Sequence, residues 1–87
     1  MEQTAFETEV DRNFDAFEAG LGSILGAHRG EFALMRHGAI VAYFADEPDA
    51  LAHGRLRYRD GIFSVQEVTD RPVDLGFFSH AIDSRIA

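Results

Sequence analysis

The residues able to bind a metal or move a proton are four histidines, His28, His37, His53 and His80, and fifteen carboxylates. A metal site on one helix sets its histidines three or four residues apart, and one on a strand sets them two apart, because those steps keep side chains on one face. No pair among the four has such a spacing, so turn and cap roles are expected and no metal or cofactor is. Ser79 and His80 lie near Asp74 and Asp83, residue types that a hydrolase uses. Adjacent side chains leave opposite faces of a strand and do not meet on a helical turn, so this pair could not share the hydrogen bond that activates a nucleophile. Gly20, Gly22 and Gly26 have the outline of a dinucleotide-binding loop, but the third glycine comes one position late and no strand precedes them. A hinge or a close helix contact is the expected use. Cysteine is absent, which removes thiol nucleophiles, disulfides and cysteine-based zinc sites together. No catalytic residue is expected, and the chain reads as a non-enzyme.

Charge points elsewhere. Asp11, Asp15 and Glu18 stand at i, i+4 and i+7 and form an acidic ridge, either a solvated face or a docking ridge for a basic protein surface. The net charge is −7, and residues 1–20 hold six carboxylates against Arg12 alone. Nucleic acid is not an expected partner, since phosphate binding needs a basic footprint. All eight basic residues are Arg, which genomic base composition explains as well as function does.

The elements that must position these residues follow from periodicity. Thr4-Ala5-Phe6-Glu7 matches a capping box, and Phe6, Val10, Phe14, Phe17, Leu21, Ile24 and Leu25 recur at steps of three and four. A helix is predicted to run to about His28, with a bend or fraying near residues 20–23 where glycines cluster. Residues 32–36 and 39–45 flank His37-Gly38, the signature of a two-residue β-hairpin. Its expected register sets Leu34 opposite Val41 and Phe32 opposite Tyr43 on one face. On the other, Met35 faces Ile40 and Ala33 faces Ala42, with Phe44 on that same side. Both faces are apolar, so either two helices split the work or another chain contributes.

Asp46-Glu47-Pro48-Asp49 reads as a helix start, with an Asp cap, an early Pro and acidic residues at the positive end of the dipole. That helix should reach Tyr58 or Arg59, packing closely through Ala50, Gly54 and Tyr58. The competing reading makes residues 55–59 a strand joined to the next through Asp60-Gly61. Residues 62–68 are the third strand, with Phe63 and Val65 inward. Residues 75–82 are apolar and could be strand, helical turn or packed tail. The fold class expected is α+β, a single domain over 1–87 in the order α-β-β-α-β, with a three-stranded sheet that a fourth strand could extend.

This order resembles a loose group of short bacterial proteins of unknown function that run helix, hairpin, helix, strand. The resemblance rests on His28-Arg29-Gly30-Glu31-Phe32-Ala33-Leu34, the hairpin with Ile40-Val41, the acidic helix start at Asp46 to Asp49, and Phe63-Ser64-Val65-Gln66-Glu67-Val68. It covers roughly residues 14–68, implies helix rather than strand for residues 47–59, and transfers no catalytic residue.

A chain of 87 residues buries only roughly 60 to 65% of its unfolded surface, so its stability margin is slim and a second copy would help. No basic leader, apolar leader or long apolar span occurs, and a cytoplasmic, non-membrane protein is expected. The functional expectation is a non-catalytic protein-interaction module, self-associating as a homodimer. An acidic inhibitor or antitoxin-like partner of a basic protein is the alternative, and a small-ligand binder or minor enzyme the third reading. Candidate partner-binding residues are Asp11, Asp15, Glu18, Phe44, Phe77 and Phe78.

Overall fold

The computed structural model describes residues 4–70; the readings made for residues 75–82, with Phe77, Phe78 and His80, lie outside them. The order is α1 (Ala5–His28), β1 (Phe32–Arg36), β2 (Ala39–Phe44), α2 (Glu47–Arg57) and β3 (Ser64–Glu67). The three strands form one sheet in the order β2-β1-β3, antiparallel throughout. The α+β class and element order match the reading of the sequence.

Both helices begin where their caps dictate. Thr4 Oγ1 accepts from Glu7 N–H at 3.0 Å, and Glu7 Oε1 accepts from Thr4 N–H at 3.0 Å, closing the capping box. Asp46 caps α2 by accepting from Asp49 N–H at 2.9 Å. No fraying occurs near residues 20–23, and α1 is continuous over 24 residues. Its apolar face, packed through Phe17, Leu21 and Ile24, offsets the helix cost of its glycines. Residues 55–57 are helix, not strand, and Tyr58 N–H bonds back to Gly54 O at 2.8 Å.

The helices divide the sheet between them. Phe17, Ala33, Met35 and Val68 form the core on the α1 side, and Leu34, Ala50, Phe63 and Val65 the core on the α2 side. Of the two ways to cover a sheet that is apolar on both faces, the chain uses one helix per face. Gly54 makes the second layer possible, because a Cβ there would sit 2.5 Å from Phe63 Cε1.

The hairpin register departs from expectation beyond its tip. Met35 faces Ile40 as read, but Leu34 faces Ala42, Ala33 faces Tyr43 and Phe32 faces Phe44. A register shift at Leu34/Met35 leaves Val41 as the extra residue of a β-bulge. One added residue reverses the alternation behind it. Tyr43 therefore packs on the α1 side, and Phe44 on the α2 side with Leu34, the reverse of their expected faces.

Candidate functional site

The turn between β1 and β2 needs positive φ at both central residues, and it has them, 54° at His37 and 82° at Gly38. Such a tight turn leaves N–H groups pointing at the α1 side, and α1 supplies their acceptors. Glu9 and Asn13 lie one helical turn apart on one face, 2% and 0% exposed. Glu9 Oε2 accepts from His37 N–H at 2.6 Å, and its Oε1 lies 2.9 Å from His37 Nδ1. Asn13 Oδ1 accepts from Gly38 N–H at 2.6 Å. The Asn13 amide nitrogen reaches Glu9 Oε2 at 3.1 Å, Ser64 Oγ at 2.9 Å and Met35 O at 3.3 Å. One buried cluster thus ties α1, the hairpin tip and the start of β3 together.

Burial pushes the Glu9 carboxyl up. The hydrogen bonds from His37 N–H, the His37 imidazole and Asn13 outweigh it, and the group titrates below its ordinary value. An ionised carboxylate only accepts, so the His37 proton facing it sits on Nδ1. The imidazole is half exposed. This acid–histidine pair has one part of a nucleophilic site. The buried hydroxyl of the cluster, on Ser64, bonds to Asn13, so the pair is not completed to a triad.

The other described histidines sit beside aromatic rings at the far end of the hairpin. His28 stacks on Tyr43 with centroids 3.6 Å apart and planes 4° apart, while its Nδ1 meets Glu31 Oε1 at 2.6 Å. Burial, and then the Glu31 charge, push the Tyr43 hydroxyl up. His53 lies over Phe44 at 4.7 Å. No group of three metal-binding side chains occurs among the described residues.

A groove of about 530 Å³ opens where the start of α1 meets α2 and residues 60–63, with Phe6, Leu51, Ile62 and Phe63 on its apolar lining. Its wall is fixed by Arg36, which donates to Asp60 Oδ1 and to Ile62 O, both at 2.8 Å, and lies 4.5 Å over the Tyr58 ring. The Arg36 hydrogen bond, followed by Ile62 N–H, holds the Asp60 carboxyl below its ordinary range.

Asp11, Asp15 and Glu18 are all exposed on α1, and Phe44 is half-buried on β2. The fold does not bring the ridge and Phe44 into one cluster. Glu9 and Asn13 were missed in the sequence. Their signal was the i, i+4, i+8 row shared with Phe17, which sits on the buried face while Phe6 and Phe14 are only half-buried. No described helix is long and apolar enough to cross a membrane. Compared with known families, with curated proteins and with solved structures, the chain matches none.

Proposed function

We propose that this chain is a non-catalytic protein-interaction module that associates with a second copy of itself. The observation that carries the reading is the unequal cover of the strands. In β1 and β3, three residues each are buried, whereas none of the six residues of β2 is. Yet β2 reads Ala-Ile-Val-Ala-Tyr-Phe, without a charge or a proline to discourage contact. Its apolar side chains lie at the outer margin of both cores. Apolar side chains left half-buried on an edge strand suit a protein contact, and a two-fold dimer is the commonest oligomer. The buried polar cluster supports the non-catalytic half of the reading, because its acceptors are spent on the hairpin turn. Light scattering at tens of micromolar tests the proposal: a mass of two chains is expected, and a strictly monomeric mass overturns it.

The groove favours a second reading, that of a small-ligand binder. Titration with an apolar fluorescent dye distinguishes it, since saturable binding that disappears in Leu51→Asp would place the ligand there.

A further inference from the structure

The polar groups around the groove at the start of α1 are engaged, with one exception. Gly61 N–H bonds to Tyr58 O at 2.9 Å, and Gly61 O accepts from Phe63 N–H at 3.1 Å. Ile62 N–H donates to Asp60 Oδ1 at 2.9 Å, and Ile62 O accepts from Arg36 at 2.8 Å. Thr4 and Glu7 answer each other in the capping box, and Asp60 is paired with Arg36. Between these groups the floor is hydrocarbon, from Phe6, Leu51, Ile62 and Phe63. Arg55, exposed on α2, is the exception: it lines the groove and has no ion pair or hydrogen bond among the described residues.

We infer that the groove binds an amphiphile of the fatty-acid class, its hydrocarbon chain on the apolar floor and its carboxylate on the Arg55 guanidinium. This rests on the ligand-binding reading of the groove given above. The engaged backbone selects the chain. A peptide would bring its own N–H and C=O groups to a wall whose N–H groups are already bonded, and some would stay without partners, whereas an acyl chain brings none. Charge selects the head. The Arg55 fork can meet a carboxylate in two parallel bonds, while Asp60 already has its cation. An ammonium head would face the Arg55 charge, with Glu7 already held at Thr4 N–H. The volume, about 530 Å³, falls in the range of about 300–1,000 Å³ that small-ligand sites occupy. The wall is also set before any ligand arrives, because Arg36 fixes Asp60 and Ile62, and the Phe63 ring fills the space that Gly54 leaves.

Decanoate, decanol and decylamine share one chain and differ in the head, so titrating the full chain with each, below its micellar range, separates chain from charge. Backbone amide shifts are the readout. Decanoate should saturate the shifts of the Leu51, Gly61 and Ile62 amides and bind about tenfold tighter than decanol, the margin of a hydrogen bond to a charged group. Decylamine should bind weakest. Arg55 is exposed, so Arg55→Gln should fold as the parent does, bind decanoate no better than decanol, and leave the decanol affinity unchanged. Equal binding of decanoate and decanol by the parent would overturn the carboxylate assignment and leave a ligand groove standing. A decanoate affinity unmoved in Arg55→Gln would do the same. If neither decanoate nor decanol moves those amides, the ligand-binding reading falls as well.

Discussion

Glu9 holds a charge at a position 2% exposed to solvent, where an unpaired carboxylate would be costly. Its two oxygens accept from His37 N–H, His37 Nδ1 and Asn13, so the charged form is the one that fits. Glutamine keeps the shape but turns a donor toward donors. Glu9→Gln should therefore cost about 1–3 kcal/mol at neutral pH, the range for orphaning a buried hydrogen-bonding group. The acid behaviour follows from the lowered titration of Glu9. A carboxyl depressed in the folded state contributes its full stability above its ordinary value of 4.5 and loses it as the pH falls through the lower folded value. Urea midpoints measured from pH 7 downward should fall more steeply below pH 4.5 in the parent than in Glu9→Gln. Parallel curves would mean that Glu9 is not the group responsible.

At the scale of elements, the helix glycines divide into two kinds that composition does not distinguish. A Cβ at Gly54 would stand 2.5 Å from the buried Phe63 ring, whereas one at Gly22 or Gly26 would meet nothing within 4 Å. Alanine gains about 1 kcal/mol over glycine in a helix interior, and forced overpacking costs about 1–3 kcal/mol. Gly22→Ala and Gly26→Ala should each raise Tm by roughly 4–8 °C, and Gly54→Ala should lower it despite the same gain. The close packing of Ala50, Gly54 and Tyr58 was legible in their four-residue spacing, as were both helix caps and the hairpin tip, because each depends on neighbours in the chain. The faces of Tyr43 and Phe44 were not legible. They depend on a bulge at Val41 that no local residue type announces. Nor was the continuity of α1 through Gly20 and Gly22, since it is maintained by side chains packed against the sheet. The polar cluster stayed hidden for a related reason: its partners come from residues 9, 13, 35, 37, 38 and 64.

For the whole molecule, the two cores on opposite faces are small, and each leans on one large side chain or two. Phe17, 1% exposed, is the largest on the α1 side. Phe17→Ala should cost about 3–5 kcal/mol, against a total of about 4–13 kcal/mol expected for a chain of this length. Thermal melting should show Tm falling by about 12 °C or more, and a change of only a few degrees would mean that the α1 layer contributes little. Asn13 acts across the molecule in another way. It bonds to groups 22, 25 and 51 residues away, on β1, the turn and β3. That these long-range bonds form after the transition state for folding is a prediction, and mutant kinetics test it. Asn13→Ala should then leave the refolding arm of a chevron nearly unmoved and steepen nothing in it, while unfolding in water accelerates by about tenfold or more. The amide of Asn13 would thus act as a catch that sets how long the assembled chain stays folded, without guiding how it gets there.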